Sequence, residues 1–309
     1  MTAPAGVTAG TTAPRCGSSL GFRAAAPEGA AGSLRLRVGR GRPVPGGAAR
    51  AFARRSEFNG VLRLMQPLYL DGSGQVAYVA VNPGGAYFGE DYEYLLEAEP
   101  GASLLFSSQS ATRVHRTPVR PAVQRMEMRI GAGARIEYVP EQLIAYRDAS
   151  YRQETVVVVE PDSTLFLAEI LTPGWDPEGT PFTYADVRLR TEVRTAAGGV
   201  VCVDSVRLTP GELGEGMAGM GQMEGRSHMG SLLLCGPHAT EELADAVRAL
   251  PSFETLRAGA TRGERHGISW LAVRALADST DALARFITDV NELDRSETTG
   301  QGRLDLRRY

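Results

Sequence analysis

Short runs in which apolar and polar residues alternate recur along most of the chain, a pattern typical of β-strands with one face toward a core. Residues 125–130 alternate at every position, whereas residues 156–159 are all valine and are expected to be buried on both faces. Gly, Pro and Asp residues separate the runs and indicate turns. The predicted strands are 33–37, 61–65, 76–81, 91–97, 103–106, 122–130, 135–139, 150–160, 165–171, 185–195, 200–208 and 268–276.

The order of these elements predicts the fold class. Many short strands with no helical periodicity before Pro237 favour stacked β-sheets over a parallel sheet of βαβ units. The stack is either a sandwich or a coiled β-solenoid, and the pattern leaves both open. After Pro237, Thr240 is placed to cap one helix, and Ser279 or Thr280 a second. The sequence therefore predicts a mainly β, solenoid-like sandwich with two helices near the C-terminus, an α+β architecture.

One folded domain with a leader is expected for a chain of 309 residues. Residues 1–32 are rich in Ala, Gly, Thr and Pro and lack the features of a secretory signal, so they predict a disordered leader. Residues 33–309 predict a single β domain. Within it, residues 211–230 are rich in Gly and Met and predict a mobile loop, and residues 238–295 predict a helical subregion.

Composition excludes several classes of function. All 33 basic residues are arginine, so a Schiff-base lysine and a P-loop lysine are both absent. The formal net charge of −3 gives no reason to expect nucleic acid as a partner, and no apolar run is long enough to predict a membrane span. Three widely spaced cysteines (Cys16, Cys202 and Cys235) argue against a disulfide framework and favour the reducing cytoplasm.

Enzyme signatures occur only out of context. Residues 17–21 match G-x-S-x-G, but they lie in the predicted leader without the strand and helix of a nucleophile elbow. Residues 214–219 match G-x-G-x-x-G, but no helix follows to bind a pyrophosphate. None of the four histidines stands in a zinc-binding pattern. No catalytic residue is assigned, and the chain is expected not to be an enzyme.

Three polar motifs follow one another along the chain, at residues 82–85, 109–116 and 138–144. Asn82, Pro83, Gly84 and Gly85 predict a tight turn, because proline fixes φ and glycine permits positive φ. The polar run 109–116 follows a strand and includes Gln109, Ser110, Thr112 and Arg116. Such residues either satisfy backbone groups at a sheet end or line an internal space, and both interpretations stay open. The third motif, residues 138–144, includes Tyr138 and Pro140.

These three motifs, in this order and spacing, resemble the urease accessory protein UreD (UreH) family. The resemblance extends with gaps from about residue 61 to about residue 210, and more weakly to the C-terminus. The chain departs from the family pattern at Glu90, at Arg113 (usually Lys) and at His115 (usually Tyr). It also has Gly174-Trp175 where the family usually has a Gly-Arg pair, which puts a partner contact at that loop in doubt.

The resemblance implies a scaffold that acts with UreF-like and UreG-like proteins to deliver nickel to the urease apoprotein. The UreG-like partner would supply GTP hydrolysis, which agrees with the absence of a P-loop lysine here. The resemblance implies no tightly bound cofactor, only transient Ni²⁺ on an internal hydrated path, and it leaves a homodimer within the assembly open. The alternative is a metal-independent protein-interaction module built on the same β-sandwich.

A metal in transit needs ligands that bind and release it, which sparse carboxylates backed by water do better than a closed His/Cys cage. Asp91, Glu141 and Glu169 are the candidates, because each lies in or beside a family-like segment and is expected to point inward. A second candidate is a Met-rich loop, whose thioethers and imidazole suit soft metals but equally suit a contact surface. Its residues are Met217, Met220, Met223, His228 and Met229.

Overall fold

Strands dominate the computed structural model, which describes residues 30–42, 48–212, 216–219, 221–250 and 255–304. The predicted leader falls almost wholly outside these residues. The strands are β1 (Gly32–Arg40), β2 (Ala51–Gly60), β3 (Arg63–Leu64), β4 (Val76–Val81), β5 (Ala86–Tyr87), β6 (Asp91–Ala98), β7 (Ser103–Ser108), β8 (Thr112–Val114), β9 (Ala122–Ile130), β10 (Arg135–Tyr138), β11 (Leu143–Ala145), β12 (Ser150–Val159), β13 (Thr164–Leu171), β14 (Asp186–Thr195), β15 (Val200–Leu208), β16 (His228–Cys235), β17 (Leu256–Arg265) and β18 (Ile268–Ala277). The α-helices are α1 (Glu241–Arg248) and α2 (Thr280–Thr299).

Two stacked sheets form the body. The seven-stranded sheet has the order β15-β14-β12-β9-β6-β1-β2, and the eleven-stranded sheet has the order β17-β18-β16-β13-β10-β7-β4-β3, with β5, β8 and β11 beside it. From β4 to β14 the longer strands alternate between the sheets, so that β6, β9, β12 and β14 are parallel in one sheet and β4, β7, β10 and β13 in the other. The predicted mainly β, solenoid-like fold is confirmed.

The solenoid has four coils in the part of the chain that the structure describes. The first is β4–β5–β6, the second β7–β8–β9, the third β10–β11–β12, and the fourth contains β13 and β14. The short strands β5, β8 and β11 pair in parallel and form a third side at one corner of the first three coils. Each coil thus repeats the path of the one before, although the sequence shows no repeat.

Apolar residues of the two facing sheets fill the space between them. They come from alternate positions of each strand, as the hydrophobic pattern requires. Examples from the two sheets are Leu34, Leu96, Met128, Val157, Leu104, Ile136 and Leu165, each almost fully buried. A second core lies on the outer face of the eleven-stranded sheet, where α1 and α2 cover Phe166, Leu234 and Val273.

The two predicted helices are confirmed, and their caps are those that the sequence indicated. The Thr240 side chain accepts a hydrogen bond from Leu243 N at 3.2 Å, and the Ser279 side chain accepts one from Ala282 N at 3.2 Å. Ser279, rather than Thr280, is therefore the cap of α2. Gly300 ends α2 with a φ of 65°, the left-handed conformation in which glycine has no steric penalty.

Six strands were not predicted from the sequence: the short strands β5, β8 and β11, and the longer strands β2, β16 and β17. The edge strands β2 and β17 are mostly exposed and carry few apolar residues, so they lack the alternation of a half-buried strand. The central strand β16 is buried along nearly its whole length, and periodicity alone does not identify such a run. Residues 228–230 of the predicted Gly/Met-rich loop are the beginning of β16.

One aromatic ring from each coil forms an exterior ladder at the third side. The ring centroids of Phe88 and His115 lie 4.9 Å apart, those of His115 and Tyr146 4.7 Å, and those of Tyr146 and Trp175 4.8 Å. The two end rings, Phe88 and Trp175, are each about half exposed. We call these four residues the aromatic ladder.

Among the described residues, neither α1 nor α2 is long and apolar enough to cross a lipid bilayer.

A buried charge cluster joins α2 to the eleven-stranded sheet. Glu137 of β10 accepts hydrogen bonds from Arg135 Nε at 2.8 Å and from Arg295 Nη1 at 2.5 Å. Its carboxylate also accepts from Gln75 Nε2 at 2.9 Å and from Asn291 Nδ2 at 3.0 Å. Glu137 and Arg295 are both fully buried, so each guanidinium and carboxylate depends on these partners in place of water.

The pKa of the Glu137 carboxyl reflects this arrangement. Burial by itself would raise the pKa, but the charges of Arg135 and Arg295 and the hydrogen bonds outweigh it and lower the pKa to about 2. The ionised form is therefore the one that the fold stabilises. Its contribution to stability is present above the ordinary carboxyl pKa of 4.5 and is lost as the pH falls toward 2.

Replacement of Glu137 tests the cluster. We expect Glu137→Ala to lower the free energy of unfolding by about 3–5 kcal/mol at pH 7, because it leaves buried guanidinium groups with fewer anionic partners. Asp289→Ala is the matched control: it removes the exposed contact of α2 with Arg303 at 3.1 Å and is expected to cost about 0–1 kcal/mol. Urea unfolding measures both, and equal losses in the two variants would contradict the assignment.

Candidate functional site

A row of polar side chains crosses the interior between the two sheets. Tyr92, Gln124 and Gln153 occupy neighbouring register positions on β6, β9 and β12, and all three are buried. Gln124 Nε2 donates to Gln153 Oε1 at 3.4 Å, which links the second coil to the third. At the next position of the register β14 has Leu189, so the row of polar positions in this sheet ends at the fourth coil.

Tyrosine hydroxyl groups satisfy the two glutamines. Tyr87 OH donates to Gln124 Oε1 at 3.1 Å and lies 2.7 Å from Tyr94 OH, while Tyr151 OH donates to Gln153 Oε1 at 3.0 Å. A buried amide or hydroxyl is costly unless it is hydrogen-bonded, and here each oxygen has a partner. Tyr92 OH bonds instead to Phe88 N and to Glu90, outside this network. We call the linked residues Tyr87, Tyr94, Gln124, Tyr151, Gln153 and Glu169 the interior polar row.

Glu169 ends the row on the opposite sheet. Along β13 it shares a face with the inward-facing Leu165, Leu167 and Leu171, because all four stand at every second position. Its carboxylate therefore points between the sheets, where it accepts a hydrogen bond from Gln153 Nε2. Burial raises the pKa of Glu169 to about 7. The hydrogen bond from Gln153 opposes this rise, the negative charge of Asp204 adds to it, and the positive charge of Arg274 opposes it.

A small cavity of about 20 Å³ lies at this end of the row, with room for one water molecule. Two of the three predicted metal residues, Glu141 and Glu169, line it together. Thr112, Tyr138 and Pro140 from the predicted motifs line it as well, beside Gln124, Leu143, Tyr151, Gln153, Ile170 and Leu189. Glu141 is held by its backbone N–H, which donates to Ser108 Oγ at 2.9 Å.

Asp91 lies elsewhere. It was predicted to face the interior, but Tyr92 and Tyr94 are the inward residues of β6, and Asp91 shares the outer face of the sheet with Arg125. Its Oδ1 is 3.3 Å from Arg120 Nη1 and 3.7 Å from Arg125 Nη1. Two guanidinium groups neutralise this carboxylate, and it is not among the residues that line the cavity.

The three sequence motifs meet at the third side, next to the cavity. The Asn82–Gly85 turn leads into β5, the second motif contains β8, and the third leads into β11. Asn82 Nδ2 closes the turn by donating to Ala86 O at 2.7 Å. Gly85, with a φ of 64°, packs so tightly on the second motif that a Cβ there would lie 1.9 Å from Ala111 O. Glycine is therefore required at this contact between coils.

The remaining motif residues serve the same corner. Gln109 N donates to Ala80 O at 2.9 Å, and Ser110 O accepts from Ser108 Oγ at 3.2 Å. Arg116 Nε lies 3.4 Å from Asp148 Oδ2, and both side chains are largely exposed. The polar segment thus does both things that its sequence left open: most of it satisfies the sheet end, and Thr112 reaches the cavity.

The Met-rich segment faces the hydrophobic core. Met217, Met223 and Met229 are buried in it, and Met220 lies outside the described residues. His228 is half-buried, with Nδ1 2.7 Å from Ser227 Oγ, and burial lowers its pKa while Asp278 opposes that shift. In the part of the chain that the structure describes, no group of three or more His, Cys, Asp or Glu side chains is placed to hold a metal ion.

Five members of the interior polar row were not predicted from the sequence: Tyr87, Tyr94, Gln124, Tyr151 and Gln153. The two glutamines nevertheless leave a signal in the sequence. Both stand at positions where the strand alternation predicts an inward apolar side chain: Gln124 follows Ala122 and precedes Met126 and Met128. A polar residue in an apolar series is a detectable signal. Its partner cannot be detected in the same way, because Gln124 and Gln153 are neighbours only through the register of β9 and β12.

Comparison with known proteins identifies relatives over nearly the whole chain. The family model described as UreD urease accessory protein matches residues 30–308. The chain is 45% identical over 252 residues to the urease accessory protein UreD of Actinomyces naeslundii, covering 81% of this chain and 90% of that protein. Proteins of the same name from Arthrobacter sp. (strain FB24) and Paenarthrobacter aurescens (strain TC1) are 43% and 41% identical, each over 90% of this chain and 94% and 96% of their own. The resemblance found in the three motifs is confirmed and extends well beyond residues 61–210.

The raised pKa of Glu169 predicts a pH dependence of stability. Because the pKa of the folded state, about 7, exceeds the ordinary 4.5, the contribution of this group is fully present below pH 4.5 and is lost as the pH rises through about 7. We expect Glu169→Gln, which stays uncharged, to remove this loss, on the order of 1–3 kcal/mol between pH 5 and pH 8. Urea unfolding at both pH values measures it.

Glu154→Gln is the control for this prediction, because Glu154 lies on the outer face of β12, 3.7 Å from Arg125 Nε. This variant should retain the pH profile of the unmodified chain. A Glu169→Gln profile parallel to that of the unmodified chain would show that Glu169 titrates as an ordinary carboxyl.

Proposed function

The chain belongs to the UreD family of urease accessory proteins, and on this premise we propose that it is a non-catalytic scaffold through which nickel reaches the urease apoprotein. Membership of that family supports a role in urease maturation, with contacts to urease and to other accessory proteins. The finer proposal concerns the metal: nickel is the cargo and passes along the interior polar row.

The observation that supports this route is the cavity shared by Glu141 and Glu169 at the end of the interior polar row. Two carboxylates supply the hard oxygen ligands that bind a divalent cation without the retention of a thiolate or imidazole cage. A carboxyl whose pKa is about 7 binds a cation only by releasing a proton, which weakens binding near neutral pH. Weak, proton-coupled binding suits a metal that must be passed on.

The energy for transfer comes from a partner in this proposal. All basic residues of the chain are arginine, so a nucleotide-binding P-loop lysine is absent, and GTP hydrolysis belongs to a UreG-like protein. A UreF-like protein joins the two in an assembly on the urease apoprotein. The assembly forms in the cytoplasm, and the chain has no resident cofactor of its own.

A metal-independent interaction module is the competing function, and two observations favour it. The cavity holds no more than about one water molecule, and within the described residues no cluster of three His, Cys, Asp or Glu side chains is placed for a metal. In that case the β body only presents a surface to its partners. Equilibrium dialysis with Ni²⁺ separates the two functions, since the nickel scaffold is expected to bind weakly, at roughly micromolar concentration or above.

The decisive test is nickel loading of apo-urease by the complete assembly. We expect the double variant Glu141→Gln/Glu169→Gln to deliver roughly tenfold less nickel, because it removes both carboxylates from the cavity. Nickel bound to urease is measured by mass spectrometry of the purified enzyme, and urease activity is measured in parallel. Size-exclusion chromatography must show that the variant still joins the assembly.

Glu154→Gln again supplies the matched control, with one carboxylate removed from the outer face and none from the cavity. It should load urease as the unmodified chain does. Full loading by the double variant, together with no nickel bound in dialysis, would exclude the nickel route and leave the interaction module.

A further inference from the structure

One end of the solenoid is open and apolar. It is formed by β2, at the edge of the seven-stranded sheet, and β3, at the edge of the eleven-stranded sheet, together with residues 65–69. Most of the large exposed hydrophobic side chains that the structure describes are here: Phe52, Phe58, Val61, Met65, Leu68 and Tyr69. Solenoid proteins usually cover such an end with a polar cap, so an apolar end indicates a contact surface. We call this surface the open end.

The backbone of β2 is available for pairing along part of its outer edge. Within the described residues β1 is its only partner strand, in antiparallel register, and at the start of β2 Ala51 N donates to Gly74 O at 2.8 Å. Val61 N donates to Ala31 O at 2.9 Å, so the alternation of an antiparallel ladder directs the backbone groups of Ser56 and Phe58 away from β1. Natural proteins usually block an edge of this length, because unpaired N–H and C=O groups recruit another strand.

The open end is also basic. Six exposed arginines and two glutamates, Glu57 and Glu99, surround it. The arginines are Arg40, Arg42, Arg50, Arg54, Arg55 and Arg63. Each glutamate pairs with one arginine, Arg55 at 2.7 Å and Arg54 at 3.4 Å. In the described part of the chain, the structure records no acidic partner for the other four.

Three of these guanidinium groups lie over aromatic rings of the same surface. Arg54 is 4.5 Å from the centroid of Phe52, Arg50 is 5.0 Å from that of Tyr69, and Arg63 is 5.6 Å from that of Phe58. The rings hold the cations in place at the surface without neutralising them. Arginine and aromatic side chains together are the composition that protein interfaces favour.

From the edge, the exposed rings and the charge, we propose that the open end docks an extended acidic segment of a partner protein, which adds a strand to β2. Charge favours this occupant over two others, which are the leader of this chain and a second copy of the chain. Residues 1–29 contain two arginines and one glutamate, so the leader carries the same sign of charge as the surface. A second copy would bring one basic surface against another. Strand addition gives affinity through the backbone, and the arginines give specificity for acidic side chains. This inference does not depend on nickel transfer.

The test uses a defined probe and the full-length chain. The probe is a fluorescein-labelled peptide of about the length of β2, in which glutamate alternates with valine and threonine, and its counterpart has lysine at each glutamate position. We expect the acidic peptide to bind at least tenfold more tightly than the basic one in fluorescence anisotropy, and less tightly as salt rises. Hydrogen exchange at the amides of Ser56 and Phe58 should slow when the acidic peptide is bound.

Two variants test separately the contribution of the arginine charges and that of backbone pairing. Arg54→Glu/Arg63→Glu is expected to weaken binding of the acidic peptide at least tenfold. Ser56→Pro, which removes an N–H directed at the free edge and none from the ladder with β1, should do the same. The matched control is Arg257→Glu/Arg265→Glu on β17, an exposed edge strand at the far end of the eleven-stranded sheet, and it should bind normally.

Four results would overturn the inference. One is equal binding of the two peptides, and another is unchanged binding by the charge-reversed variant. A third is a chain dimer, seen by light scattering, that Ser56→Pro abolishes, which would identify a second copy as the occupant. The fourth is a tenfold gain in affinity on removal of residues 1–29, which would identify the leader.

Discussion

Parallel pairing in register between successive coils is the constraint on which the rest of the structure depends. Because β6, β9, β12 and β14 stack without a shift, a given position of one coil lies beside the equivalent position of the next. The same holds for β4, β7, β10 and β13 on the other side of the core. A shift of one residue would turn every inward side chain outward. The core, the interior polar row and the aromatic ladder all follow from this register.

The fold tolerates the interior polar row because its buried polar groups are hydrogen-bonded to one another. Gln124 and Gln153 lie in a layer that is otherwise apolar, and each amide oxygen accepts from a tyrosine hydroxyl. The network crosses from one sheet to the other through the hydrogen bond between Gln153 and Glu169. Polar groups in such a network fix one arrangement of the two sheets, because a displaced member leaves its partner buried without a hydrogen bond. The cavity therefore has a defined shape in the free chain.

Much of the fold could be predicted from the sequence, for identifiable reasons. Residues 76–81, 122–130 and 200–208 were predicted with the bounds that β4, β9 and β15 have, because glycine or proline lies at or near both ends of each. The choice between sandwich and solenoid could not be made, since parallel and antiparallel stacking produce the same alternation. For the site, resemblance to a family selected Glu141 and Glu169, but it also selected Asp91, whose direction depends on the register of β6.

The aromatic ladder includes two residues at which the chain was expected to depart from the family pattern. These are His115 and Trp175. The strands at this corner, β5, β8 and β11, have only two or three residues each, too few for backbone pairing alone to align them. Contacts between the rings, stacked for Phe88 and His115 and tilted for the other two pairs, add cohesion on the outside of this corner. Because His115 and Tyr146 each contact a ring on both sides, loss of either one would divide the ladder and leave the coils on its two sides without a shared aromatic contact.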